Sequence, residues 1–332
     1  MVGAHAEHQV SVAFFGGEPF LAVDRMQEVV DYGQERRPNV YKGFRFAATT
    51  NGTLANARVE KVVRQGQMSL LVSVDGGAQA SRLRPMVSGR ESFSMVRKNL
   101  ALLASWAQRC TARMTFTPDN LDFLQRVQEV QAIAPVGIAL CPVVEADWGG
   151  REEALEEAYQ ELGDWFLKEV RAERRPPLEI TWDLLRDYIR RLDCQQRPTR
   201  ACPLGDSLMA VDSQGNVLPC HRFLHRPERL GHVDDAELPA QRSRYVNLQS
   251  LEIPDFESCL ARTVCGGGCR AVALGAGYGL HGIHPNHCLL LRAHMRQVQR
   301  LHQELKSHEC FWRFLSGSAS LGALQELLNL GS

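Results

Sequence analysis

The chain has 332 residues, 44% hydrophobic and 23% charged, enough to fill one large core or two modest ones. Thirty-eight basic residues balance thirty-eight acidic ones, so no strong global field draws it to nucleic acid or to an anionic membrane surface. No apolar run approaches the roughly 20 residues that cross a bilayer, and the first twenty residues lack a secretory layout. The expected setting is cytoplasmic, with no membrane and no nucleic-acid partner.

Residues 10–175 alternate β-rich apolar runs with amphipathic stretches, the pattern of successive β–α units around a parallel sheet. Five units are predicted. The strands fall at Val10–Phe15, Phe44–Thr49, Ser69–Val74, Thr111–Thr117 and Val136–Val144. The helices fall at Val23–Arg36, Leu54–Arg64, Phe93–Gln108, Leu121–Ala132 and Glu152–Arg171.

In parallel α/β architectures the carboxyl ends of the strands carry the ligand site. Here those ends are chemically specific: "GGEP" (Gly16, Gly17, Glu18, Pro19), "TTNGT" with Asn51, "SVDGG" with Ser73 and Asp75, and "ARMTFTPDN" with Arg113. Glycines let a backbone approach a ligand, Glu18, Asn51, Ser73 and Asp75 offer acceptors, and Arg113 offers a fork for a carboxylate. A molecule with an amino group, a carboxylate and a ribose suits the set. Each motif alone is also an ordinary turn or strand cap.

Eight of the ten cysteines lie from Cys194 onward. A disulfide framework is the plain reading, but an unsecreted chain with a sizeable first-half core favours metal ligation. Cys202, Gly215 and Cys220 are spaced C-x12-G-x4-C, and "LMAVDSQGNVLPC" between them reads as a β-hairpin. Cys259, Cys265 and Cys269 follow as C-x5-C-x3-C, then Cys288. Structural zinc prefers close cysteine pairs, whereas iron–sulfur clusters accept longer separations with glycine nearby, so "CGGGC" fits the cluster better. Cys110 and Cys141 read as small buried hydrophobes.

These motifs together resemble the radical S-adenosylmethionine (radical SAM) enzymes that carry a C-terminal SPASM domain, the peptide- and sulfatase-maturase type. The likeness covers about residues 8–300. It implies a partial parallel (β/α) barrel over residues 1–190, a cysteine-rich α+β SPASM module over 194–310, and a C-terminal tail over 311–332. It also implies S-adenosylmethionine at Gly16, Gly17, Glu18, Pro19, Asn51, Ser73, Asp75 and Arg113. Two auxiliary 4Fe–4S clusters are implied as well. One takes Cys202, Cys220 and Cys269, with Cys194 as a fourth ligand. The other takes Cys259, Cys265 and Cys288; the family's fourth cysteine would stand at Phe256, leaving that site open or ligated by Asp255.

The resemblance has one large gap. Family members hold their catalytic cluster on a C-x3-C-x2-C loop after the first strand, and no cysteine precedes Cys110 here. "VSVAFFGGEP" therefore corresponds to the family's second strand, and this chain alone is expected not to generate the 5′-deoxyadenosyl radical. Truncation or a non-catalytic relative would each explain it. The implied activity of the complete enzyme is hydrogen abstraction from a peptide or protein residue, leading to oxidation or cross-linking. Formylglycine formation on sulfatases and a cluster- or zinc-bearing peptide scaffold are the alternatives. A reductant protein such as flavodoxin or ferredoxin is the implied second partner. His221, directly after Cys220, is a candidate base, or else a hydrogen-bond partner of the cluster. His225 and His232 lie close enough in sequence to join a metal-ligating group, His281, His284 and His287 read as loop residues, and Leu289–Lys306 reads as a docked amphipathic helix.

Overall fold

The computed structural model describes residues 10–36, 43–78, 80–192, 202, 204–205, 207–236, 238 and 258–317. Cys194, Phe256, Asp255 and the tail beyond residue 317 lie outside the described residues. The chain divides into two compact units, Met1–Cys141 with Pro177–Ile180, and Pro142–Pro176 with Thr181–Ser332.

The first unit is built on a five-stranded sheet in the order β1-β2-β3-β4-β5. Its strands are β1 (Val10–Phe14), β2 (Phe44–Thr50), β3 (Ser69–Ser73), β4 (Arg109–Phe116) and β5 (Gly137–Pro142). The registers from β1 through β4 are parallel, with Ala47 opposite Ser69, and Ser73 opposite Arg113. The crossover helices are α1 (Val23–Arg36), α2 (Ala57–Gln65), α3 (Phe93–Trp106) and α4 (Phe123–Gln131), so the expected β–α succession is the observed one.

Side chains alternate between the faces of a strand, and here the two faces differ sharply. One carries Phe46, Ala48, Leu70, Val72, Ala112, Met114 and Phe116, all buried. Helices cover it: the ring of Phe46 lies against Gly33 of α1, and Val72 and Val96 of α3 both lie against Gly52. Burying each large apolar side chain contributes roughly 1.5–3 kcal/mol. The opposite face carries Thr49, Ser69, Ser73, Arg109, Arg113 and Thr115 around buried Ala47 and Leu71. A one-residue slip would exchange the faces, so the apolar alternation fixes which side chains reach the polar side.

Helix α2 shows the local logic. Asn56 caps it, its side-chain oxygen accepting from the N–H groups of Arg58 at 3.0 Å and Val59 at 3.2 Å. Val59, Val62 and Val63 form the buried stripe, and the helix stops at Gly66.

In the second unit α5 (Glu152–Arg171) packs on α8 (Pro285–Leu305). Leu155, Tyr159, Leu162, Phe166 and Val170 recur at helical spacing on its buried face. Tyr159 stacks on His294 of α8 with ring centroids 4.7 Å apart. Helix α6 (Glu179–Leu192) contributes Trp182, which meets Phe166 at 4.8 Å. The predicted hairpin is present as β6 (Ala210–Val211) and β7 (Asn216–Leu218), antiparallel, and β8 (Gly231–His232) extends it to three strands. A short helix α7 (Arg270–Gly275) follows the "CGGGC" stretch, and α9 (Glu309–Gly317) ends the described chain. The sequence reading did not anticipate α6, α7, β8 or α9. The first follows a Pro-Pro pair that reads as a break, and β8 is too short to show a period. Among the described residues no helix is long and apolar enough to cross a membrane.

Candidate functional site

Four strand ends of the first unit were expected to share one rim. The structure ties the first two together directly. Glu18, capping a short 3₁₀ turn that begins at Pro19, accepts from Thr50 Oγ1 at 2.8 Å and from the Asn51 N–H at 2.7 Å. Its carboxylate thus clamps the end of β1 to the end of β2, with Gly16 and Gly17 exposed beside it. Asn51 Oδ1 in turn accepts from the N–H and the hydroxyl of Thr53. Buried Asn99 of α3 donates to the carbonyls of Gly52 and Thr53, both at 3.0 Å, fixing the loop from behind.

A cleft of about 680 Å³ opens at these ends, lined by Asn51, Thr53, Ser73, Arg84, Met86 and Ser92 among others. The volume suits a nucleoside-sized ligand. Ser73 presents a hydroxyl that makes no hydrogen bond among the described residues, and Arg113 stands opposite it in register on the same face. The Arg113 guanidinium has neither ion pair nor hydrogen bond among the described residues. One row further along this face, Thr49 and Thr111 flank Leu71 with buried hydroxyls that have no hydrogen-bond partner among the described residues. The unspent Ser73 hydroxyl in an open cleft, with Arg113 opposite it in register, fits a ligand carrying hydroxyl and carboxylate groups.

Asp75 behaves differently from a ligand-facing acceptor. It is buried, and its carboxylate accepts from Arg84 Nε at 2.5 Å, Arg84 Nη2 at 3.1 Å and the Thr115 N–H at 2.7 Å. The group facing the cleft here is Arg84, which Asp75 holds in place. Behind them Arg126 is fully buried and donates to three carbonyls, those of Asp75, Asn120 at 2.9 Å and Thr115 at 2.8 Å. Burial lowers its pKa below the usual range, with the Asp75 charge opposing. Neither arginine carried a sequence signal, since Arg84 sits in a loop and Arg126 on a helix that reads as amphipathic.

In the second unit the cysteines fall into two groups. Cys202, Cys220 and Cys269 line one narrow recess with His221 and Arg270. Cys220 is buried, and burial first, then the neighbouring Cys269 and Cys202 sulfurs, pushes its thiol up to about 12. Cys259, Cys265 and Cys288 form the second group: burial raises the Cys265 thiol, and the Cys288 and Cys259 sulfurs raise it further. Burial likewise raises Cys288. Thiols held this high bind as thiolates only when a metal displaces their protons.

Gly215 of the hairpin turn has φ of +82° and lies directly under the His232 ring, so a side chain there would be both strained and blocked. His232 spends its Nε2 on the Gln214 carbonyl at 3.0 Å, which makes it part of the turn rather than of a histidine cluster. Among the described residues no group of three or more His, Cys, Asp or Glu could hold a single metal ion. A lone zinc would draw its thiolates to within about 3.8 Å of one another, given bonds of about 2.3 Å in a tetrahedron. His287, expected in a loop, lies buried on α8 with Nε2 4.0 Å from Cys265 Sγ. His284 caps the same helix by accepting from the Asn286 N–H. Cys110 and Cys141 are packed in the first unit, and burial pushes the Cys110 thiol up to about 12.

No family model matches the sequence. An uncharacterized protein of Methanocaldococcus jannaschii is 27% identical over 119 residues, 36% of this chain and 41% of that protein. The match therefore spans less than half of that relative's length. Among solved structures, anSMEcpe with bound AdoMet (S-adenosylmethionine) superposes with a TM-score of 0.73 at 18% identity, over 92% of this chain and 84% of its own. The same protein with AdoMet and the Kp18Cys peptide gives 0.68 at 18%, over 93% and 85%. SuiB of Streptococcus suis bound to its precursor peptide SuiA gives 0.54 at 12%, over 83% of this chain and 64% of its own. At such identities the likeness is one of fold: this chain shares the fold of anSMEcpe and, less closely, of SuiB.

Proposed function

We propose that this chain is the nucleoside-binding and auxiliary-cluster-bearing body of a radical SAM maturase that modifies a peptide or protein residue. The observation that carries the reading is the pairing of two features in one fold. One is a cleft with an unspent Ser73 hydroxyl beside Arg113; the other is two separate three-cysteine groups in the second unit. Ser73 and Arg113 receive the carboxylate of S-adenosylmethionine, Asn51 and Thr53 border its ribose, and Glu18 keeps the Asn51 loop in place. Cys202, Cys220 and Cys269 hold one auxiliary cluster, with Cys194 as their fourth ligand. Cys259, Cys265 and Cys288 hold the other. The clusters supply electron transfer or substrate ligation when bound.

His221 borders the first recess and acts as a hydrogen-bond partner of that cluster. The peptide partner is supported by the neighbours' own complexes with Kp18Cys and SuiA; the reductant is a flavodoxin- or ferredoxin-type protein. We assign to these residues the binding of nucleoside and peptide. The test is calorimetry with S-adenosylmethionine on the anaerobically reconstituted chain. Saturable binding weakened at least tenfold in both Ser73→Ala and Arg113→Met, without 5′-deoxyadenosine release, supports the reading. Wild-type chain that is folded and iron-loaded yet does not bind the nucleoside refutes it.

A further inference from the structure

Arg270 is the first residue of α7, next to Cys269, and only 3% of it is exposed. Its Nη1 donates to the Leu280 carbonyl at 3.1 Å. No carboxylate pairs with it among the described residues; the groups that favour its charge, against burial, are the sulfurs of Cys202, Cys265 and Cys269. Two of these belong to the first cysteine group and one to the second. It also forms part of the wall of the recess that Cys202, Cys220 and Cys269 line.

A buried guanidinium without a counter-ion is strongly unfavourable. Elsewhere in this chain buried arginines have acidic partners, as Arg186 has Asp183 at 2.7 Å, or a set of three carbonyls, as Arg126 has. Arg270 has one carbonyl, and it shares a recess with Cys202, Cys220 and Cys269. Protonated thiols would not offset its charge. Thiolates carrying an anionic cluster would, and from both sides.

We propose that Arg270 is the shared counter-cation of the two cysteine groups, and that it holds the reduction potentials of both clusters up together. This rests on the reading of those groups as cluster sites. Reduction adds negative charge, so a fixed cation nearby favours the reduced form of each cluster. One unit charge at roughly 10 Å in an effective dielectric of about 20 changes such an equilibrium on the order of tenfold, which for a one-electron couple is about 59 mV. Arg270 does not touch the peptide or the nucleoside in this scheme. It is a positioning residue that acts through charge.

The test is an anaerobic redox titration followed by electron paramagnetic resonance on the iron-loaded chain, in the wild type, Arg270→Gln and Arg270→Lys. Gln keeps a donor for the Leu280 carbonyl and removes the charge, while Lys keeps the charge. The expected result is a fall of both potentials, on the order of tenfold in the reduced-to-oxidised ratio, in Gln, with Lys close to wild type. Loss of iron in Gln with retention in Lys would support the same charge role. A shift in one cluster alone, no shift in either, or equal iron loss in Gln and Lys would overturn it. If wild type takes up no iron at all, the cluster reading beneath the proposal fails instead, and iron analysis separates the two cases.

Discussion

Replacing Arg126 with Met tests whether the cleft rests on a buried arginine. In the wild type its guanidinium, fully excluded from solvent, ties together the carbonyls of Asp75 after β3, Thr115 on β4 and Asn120 in the following loop. Three charge-assisted bonds amount to about 1.5–3 kcal/mol each. Against this, Met avoids the several kcal/mol that burying a guanidinium costs. The difference leaves a net loss of about 2–4 kcal/mol, because the three carbonyls stay buried without donors. For a unit of this size that corresponds to a fall in melting temperature of roughly 5–15 °C. Thermal unfolding followed by circular dichroism measures it, and calorimetry on the same protein should show weaker S-adenosylmethionine binding, since Asp75 and Arg84 move with the clamp. Arg126→Lys, able to reach one or two of the carbonyls, should recover less than half of the loss. A melt within about 2 °C of wild type would show that the desolvation cost cancels the three bonds and that the rim is held by other contacts.

Other outcomes follow from single residues. Glu18→Ala should loosen the joint between β1 and β2, since three hydrogen bonds end on its half-buried carboxylate. A stability loss of about 1–2 kcal/mol and weaker nucleoside binding are expected in urea titrations and calorimetry; unchanged binding would remove Glu18 from the site. Gly215→Ala forces a side chain into positive φ beneath His232. It should cost about 1–3 kcal/mol and lower iron retention at the Cys202, Cys220 and Cys269 group, read by iron analysis, while leaving nucleoside binding intact. His294 is buried against Tyr159 and Thr181, and burial depresses its pKa to about 4. The unfolded chain takes up its proton near pH 6.5 and the folded chain does not. Stability is therefore full above about 6.5 and falls as the pH drops toward 4, by up to about 3 kcal/mol for this residue. His287 is depressed to about 4 in the same way, so His294→Gln should remove roughly half of the slope in urea titrations across that range. A slope unchanged by the substitution would contradict the assignment.

The first unit was legible because its strands are short β-rich apolar runs, each followed by a polar segment and an amphipathic stretch, and that succession gave the strand positions. What could not be read was the use of each polar group. Asp75 and Ser73 are two residues apart in one motif, yet Asp75 is consumed by Arg84 and Thr115 while Ser73 stays unspent. The difference arises from Arg84, nine residues further on, whose reach no local pattern encodes. In the second unit the sequence pattern located the hairpin, whereas the grouping of the cysteines came from the resemblance and not from spacing. His287 was misread because a helix beginning at Pro285 was placed a turn too late, at Leu289. Burial of a charged residue beside a cysteine, as at Arg270, leaves no trace in hydropathy, since the neighbouring glycines and alanines suit a loop or a core equally.

The most direct measurement is iron and acid-labile sulfide per chain after anaerobic reconstitution, with zinc measured alongside. The account requires about eight irons, two four-iron clusters, falling by about half when Cys220 is replaced by Ala and by the other half when Cys265 is replaced as well. A colourless chain that melts like the reconstituted one, holding no iron or holding zinc at one atom per cysteine group, would contradict it.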